Sequence, residues 1–235
     1  MSHRDRLLAG PTILPVTYAR DERTALAALL QETGPDGPTL CEGWQTRDMA
    51  AHLVLRERRP DAAAGVMGGP LAGYTARVQR HYLDTYSYPT LITMFRAGPP
   101  KLSVFAIPGA DEAANTVEYF VHHEDVRRGS PGWEPRELGS GESDMLWHRL
   151  RMARFMLRKA PVGVELARDD LARDDIDTGA DGASYRITAR NATPAVTVVG
   201  SPAELTMWVM GRRTAARVRM DGTQAAVTKL AEANW

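Results

Sequence analysis

The segment Val117-Glu118-Tyr119-Phe120-Val121-His122-His123-Glu124-Asp125 concentrates side chains that can ligate a metal ion. Glu118 and His122 are four positions apart, so on a helix they leave the same face about one turn from each other. Helical zinc sites use that geometry to bring two ligands to one ion. His123 is turned by roughly 100° from His122 and points elsewhere. Asp125 returns to the stripe of Glu118, where it can orient an imidazole from behind. A third ligand must come from another helix. His52 is the best candidate, because Met49, Leu53 and Arg56 define its helix and set the histidine at the inward edge. The same residues also fit a satisfied core histidine and a surface Glu–His pair, so spacing leaves those readings open. Cys41 lies in the loop leading to His52; it is either a fourth ligand that would close the site or a small loop residue. Trp44 and Trp208 read as packing anchors.

These side chains need helices to position them. Ala19 to Thr33 reads as one: Leu26, Leu29 and Leu30 share a face, Asp21 and Glu22 sit in the first turn, and Gly34-Pro35 ends it. Thr46 is the expected N-cap of the His52 helix, which Pro60 terminates. Residues 71–97 read as a long helix kinked or split by Pro89. Asp111 opens a fourth helix running to Arg127-Arg128, closed by Gly129. Residues 130–141 hold three glycines, two prolines and two serines and are the expected linker. Beyond it we expect a helix over 143–159 and strands over 162–167, 184–189, 195–199 and 216–220. A short helix follows Ser201-Pro202 and ends near Gly211, and a last helix covers 223–232. The implied division is an arm at 1–18, helices over 19–129, a linker at 130–142 and an α+β unit over 143–235.

Composition narrows the function classes. Hydrophobic residues make up 43% of the 235 and charged residues 25%, which places the chain among globular proteins with a real core. Lys+Arg and Asp+Glu are each 29, and no basic recognition helix stands out, so a nucleic-acid partner is not expected. One cysteine excludes an intramolecular disulfide and suits a cytoplasmic location. No apolar run reaches the ~18 residues of a membrane span. Leu7 to Val16 imitates a short signal core, but Pro11 and Pro15 interrupt it, so an N-terminal arm is the expectation.

Leu40-Cys41-Glu42-Gly43-Trp44-Gln45-Thr46-Arg47-Asp48-Met49-Ala50-Ala51-His52-Leu53 resembles the second-helix signature of the DinB-like, mycothiol-dependent maleylpyruvate isomerase superfamily. Val117-Glu118 through His122-His123-Glu124-Asp125-Val126 resembles that family's Glu-x-x-x-His-His-x-Asp segment. Leu55 to Ala63 is similar to an actinobacterial branch described only as metal-binding proteins. Ser201-Pro202-Ala203-Glu204-Leu205 to Trp208, with Gly211-Arg212, resembles the family's C-terminal domain. The likeness runs from about Ala19 onward. It implies an α+β chain with an N-terminal DinB-like four-helix bundle followed by a small sterol-carrier-like domain.

The resemblance further implies a divalent metal, zinc first, on His52, Glu118 and His122. Three protein ligands leave a fourth position open, as in catalytic zinc sites. In the family that position takes the thiol of mycothiol, which zinc makes a nucleophile at neutral pH. Addition to an activated double bond, rotation and departure gives isomerisation; displacement of a leaving group gives S-transfer. Arg212 matches the family's Gly-Arg and is the candidate substrate contact for a carboxylate. Arg56, four residues past His52, is the candidate contact for a cofactor at the metal, and Arg213, Arg58 and Arg59 read as surface charges. The Arg56-Glu57-Arg58-Arg59-Pro60 and Glu124-Asp125-Val126-Arg127-Arg128 runs depart from the isomerase itself. Its substrate therefore does not carry over. The expected partners are a small-molecule substrate and a thiol, with no membrane. The competing readings are a non-catalytic metal- or small-ligand-binding protein and a metal-assisted hydrolase. The last needs a base beside the ion, and Glu124 points away from Glu118.

Overall fold

A computed structural model describes residues 18–63, 69–100, 110–171 and 185–233. The expected N-terminal arm, apart from Tyr18, lies outside the described residues. The chain is α+β: helices fill its first half, and a four-stranded mixed sheet with further helices forms the second.

The helical half consists of α1 (Tyr18–Thr33), α2 (Thr46–Arg58), the short α3 (Pro60–Ala63), α4 (Ala72–Thr85), α5 (Tyr88–Arg96) and α6 (Ala110–Arg127). Helix α1 packs on α6 and α5, while α2 packs on α4 and α5. Their apolar stripes meet in one core that includes Leu26, Leu30, Met49, Leu53, Leu91 and Phe95. Burying each large side chain of this kind stabilises by about 1.5–3 kcal/mol. Arg23, Glu57 and Tyr119 are polar members of that interior. Glu57 Oε1 accepts from Arg23 Nε at 3.1 Å and from the Tyr119 hydroxyl at 2.5 Å, so the burial is compensated.

The long helix expected over 71–97 is two helices. The break falls at Tyr86-Ser87, and Ser87 caps α5 by accepting from the Thr90 N–H at 3.4 Å, with Pro89 in the first turn. Proline there forfeits no helical hydrogen bond, which is why it begins a helix rather than bending one. Thr46 is not the cap of α2; Gln45 is, and its N–H donates to the Asp48 carboxylate at 2.9 Å. The Thr46 hydroxyl instead ties down the preceding turn, accepting from the Gly37 N–H at 3.1 Å and donating to the Gly34 carbonyl.

The second half begins earlier than composition indicates. Helix α7 (Ser140–Arg149) starts inside the glycine-rich stretch, and the chain then passes through a 3₁₀ turn (Leu150–Met152) into α8 (Ala153–Met156). Strands β1 (Gly163–Arg168), β2 (Arg186–Arg190), β3 (Ala195–Gly200) and β4 (Arg219–Asp221) follow. They are ordered β2-β1-β3-β4; β1 runs parallel to β3, and the two outer pairings are antiparallel. Val164, Leu166, Val196 and Val198 are fully buried at period two. Helix α9 (Pro202–Val209) is buried along its whole length, the mark of an interior helix. It packs on β3 and β1 and also on α7 and α6. Phe120 and Val121 of α6, Leu146 of α7, and Ala203 and Met207 of α9 make a separate apolar cluster that joins the halves. Helix α10 (Gln224–Ala231) is the last element among the described residues. Among the described residues, no helix is long and apolar enough to cross a membrane.

Candidate metal centre

Helix α6 is the hub. His122, His123, Glu124 and Asp125 are consecutive and all buried, which a helix tolerates only when each polar group is answered. His123 turns toward α1, where its Nδ1 lies 2.8 Å from Glu22 Oε2. Glu124 accepts from Arg127, Arg128 and Arg136 at 2.6–3.0 Å. Arg128 continues to Glu204 of α9 through two bonds of 2.9 and 2.7 Å. These groups hold α1, α6 and α9 together.

His122 and Asp125 face another way. Asp125 Oδ2 lies 3.0 Å from His122 Nδ1, which directs the Nε2 edge of the ring away from the carboxylate. Arg212 fixes Asp125, with Nε 2.8 Å from Oδ1 and Nη2 2.6 Å from Oδ2. Burial pushes the Asp125 pKa up, but the bonds from His122 and Arg212 prevail and hold it at about 2. Gly211, with φ of 88°, lets the chain leave α9 in a left-handed turn immediately before Arg212. Cys41 donates to Asp125 Oδ2 at 3.3 Å. Burial, then the Asp125 charge, pushes its thiol up to about 12. The Cys41 loop reaches α6 because Gly129 lets it: a Cβ there would meet the Pro38 carbonyl oxygen at 2.3 Å. Leu40 N–H then donates to the Asp125 carbonyl at 3.0 Å.

Of the expected ligands, His52 and Glu118 each adjoin His122, but the three do not offer ligand atoms that all lie within 4.8 Å of one another. The His52 and His122 rings stand edge-on with centroids 5.0 Å apart, and Glu118 Oε2 is 3.6 Å from His122 Nε2. Trp44 packs on the other contact of His52, 5.0 Å between centroids. Arg56 Nε is 3.6 Å from Glu118 Oε2, and its Nη1 donates to Asn115. His52 is only 2% exposed, yet its Nε2 makes no hydrogen bond among the described residues. Burial and then the neighbouring His122 hold its pKa well below the ordinary histidine value. A neutral, buried imidazole with an unanswered nitrogen fits a ligand set better than a satisfied core.

A second cluster is more tightly drawn. One ligand atom each from Cys41, His122 and Asp125 lie within 4.8 Å of one another, so this cluster could hold a metal ion. His122 belongs to both arrangements. In the second, however, the donors are already engaged by one another and by Arg212, whose Nη2 also lies 3.5 Å from Cys41 Sγ. A dication would have to displace or neighbour that guanidinium.

Beside Glu118 a cleft of about 350 Å³ opens between α6 and the second half, with Arg149, Met152, Met156, Val209 and Met210 among its lining residues. Arg212 does not line it. That side chain spends Nη1 on the Met210 carbonyl at 2.7 Å and its other donors on Asp125, and it borders a separate cavity of about 340 Å³ with Cys41. Sequence reasoning missed the Arg212–Asp125–Cys41 linkage and Arg149. Both depend on contacts between distant segments, for which spacing carries no signal. Compared with known proteins, the chain gives no match to a family model, to a curated protein or to a solved structure.

Proposed function

We propose that the chain is a metal-dependent enzyme in which His52, Glu118 and His122 hold a divalent ion, zinc first, and a low-molecular-weight thiol such as mycothiol attacks a small electrophile. The observation that carries the metal is the buried Nε2 of His52, without a partner among the described residues, on a ring set 5.0 Å between centroids from that of His122, which in turn adjoins Glu118. When bound, the ion supplies Lewis acidity that makes a thiol nucleophilic near neutral pH. The thiol itself rests on the sequence resemblance. So does the reading of the N-terminal helices as a DinB-like four-helix bundle and of the second half as a sterol-carrier-like domain.

The chain's own residues have distinct tasks in this reading. Asp125 fixes the ring orientation of His122, and Arg212 fixes Asp125; partners of this kind tune ligands without touching the ion. Arg56 restrains the Glu118 carboxylate. Trp44 covers His52 and excludes water from that side. The cleft at Glu118 gives an exogenous molecule access, which a closed structural site would lack. Arg212 then serves as a positioning residue rather than a substrate contact.

A second reading is favoured by the closer convergence of Cys41, His122 and Asp125: a closed site with thiolate ligation and no thiol chemistry. The two separate cleanly. Elemental analysis of purified chain, His52→Ala and Cys41→Ser, followed by calorimetric titration of the loaded protein with mycothiol, decides. The proposal expects one ion per chain, lost in His52→Ala, kept in Cys41→Ser, and thiol binding only to the loaded form. Loss of the ion in Cys41→Ser with retention in His52→Ala establishes the closed site instead. An ion without thiol affinity points to a binding protein or a hydrolase.

A further inference from the structure

We propose that the cleft beside Glu118 is the acceptor-substrate pocket and that it takes a small, largely apolar monoanion, such as an aryl- or alkyl-carboxylate, whose charge meets Arg149. The inference rests on the reading of Glu118 as a metal ligand for its catalytic meaning, but the binding it describes does not need the ion. The cleft holds about 350 Å³, which is at the small end of ligand sites. Its walls come from three places: α6, the α7–α8 turn and the end of α9. Met152, Met156 and Met210 contribute three flexible thioethers that adapt to an irregular or planar guest. Met152 is 58% exposed and forms an apolar rim.

Arg149 is the only cation among the described residues lining the cleft, and it makes no hydrogen bond or ion pair with them. Glu118, the one carboxylate among the described lining residues, already lies 3.6 Å from Arg56 Nε and from His122 Nε2. One anion can therefore be answered. A second, as on a dicarboxylate, would face thioethers or the Glu118 charge, because Arg56 and Arg212 are both committed elsewhere. In this proposal the carboxylate contact is Arg149, the last residue of α7, and not Arg212, which lies past the end of α9.

Isothermal calorimetry on metal-free and zinc-loaded protein tests this with 4-phenylbutyrate, its neutral amide and maleate as probes. The expected result is saturable 4-phenylbutyrate binding to both forms. Arg149→Gln should weaken it about 10-fold, the loss of a charge-assisted contact, and leave the amide unaffected. Filling the cleft with Met156→Trp or, separately, Val117→Trp should abolish binding of both, with unchanged far-UV circular dichroism. No saturable binding to folded protein, indifference to Arg149→Gln and to both cleft-filling variants, or tighter binding of maleate than of 4-phenylbutyrate overturns the proposal. Failure of the metal reading looks different. Protein that retains no zinc yet binds 4-phenylbutyrate in the Arg149-dependent way upholds the pocket, whereas zinc-loaded protein that ignores the probe sinks the pocket alone.

Discussion

On the face of α6 that carries His123 and Glu124, every buried carboxylate is answered: Glu124 by three arginines, Glu22 by His123 and Arg136, Glu204 by Arg128. On the face that carries Glu118 and His122, a fully enclosed imidazole, His52, is left with a nitrogen that bonds to nothing among the described residues. The two faces share one helix and the same residue types. They differ in whether the carboxylates and imidazoles are compensated within the fold; on the first face the buried atom without a partner among the described residues is a guanidinium nitrogen, Arg136 Nη2, which cannot ligate a metal. Compensated burial holds elements together and adds little chemistry, while uncompensated burial is a standing cost that a ligand can remove. Histidine and glutamate therefore do not mark a site by type. A missing partner on an atom able to ligate does.

Glu124→Ala attacks the compensated face and should have the largest effect. It leaves Arg128, itself 3% exposed, without one of its two carboxylates and takes one from Arg136. Breaking a buried network in this way costs about 3–5 kcal/mol. Urea denaturation of the metal-free protein measures it, and a loss below about 1 kcal/mol would class the network with ordinary surface pairs. Zinc retained per folded molecule should not change.

His52→Leu makes the converse test. Leucine is close in volume and removes the unanswered nitrogen, so the metal-free protein should keep its stability to within about 1 kcal/mol or gain some. Zinc affinity should fall by more than about 100-fold, since one of three ligands is gone. A variant that loses stability but keeps its zinc would make His52 a core histidine after all.

Asp125→Asn sits between the two faces. If the aspartate orients His122, zinc affinity should weaken by about 10–100-fold rather than vanish, and Cys41→Ser should leave it unchanged. Equal and complete loss in both variants would move the ion to the Cys41–His122–Asp125 cluster. Metal titration against a competing chelator resolves the two.

Much of the scaffold was legible because its causes are local. Leu26 and Leu30 with Gly34-Pro35 specify α1, and Ser201-Pro202 specifies the start of α9, where the Ser201 hydroxyl accepts from the Glu204 N–H at 3.4 Å. Boundaries failed where composition and contact disagree. Ser140 and Gly141 read as linker, but Ser143, Leu146 and Trp147 bury themselves and carry the helix back to Ser140. The candidate site divides the same way. Glu118 and His122 follow from a four-residue spacing. The bonds from Arg212 and Cys41 to Asp125 join positions 87 and 84 residues apart, and no local pattern announces a pairing at that range.

The smallest effect expected is one of pH, and it sharpens what compensation means. Glu142 of α7 lies beside Glu22 and is answered only in part: burial, then the Glu22 charge, pushes its carboxyl up to about 7 against the attraction of Arg136. Burial also pushes Glu22 up, but its bonds to His123 and Arg136 outweigh that and hold it at about 2. Between the ordinary glutamate pKa of about 4.5 and 7, the folded chain therefore keeps a proton on Glu142 that the unfolded chain has released. Stability must fall as pH rises through that window, then level off above it. Glu22 acts in the opposite sense, its contribution being lost as pH drops from about 4.5 toward 2. The pair alone thus favours mildly acidic conditions. Glu142→Gln keeps a hydrogen-bond donor beside Glu22 without a titrating proton, so it should flatten the decline between pH 5 and 7 while leaving the acid limb intact. Urea midpoints of wild type and variant across that range settle it: parallel slopes would mean that Glu142 ionises in the folded chain as it does in the unfolded one, and that Arg136 answers both carboxylates.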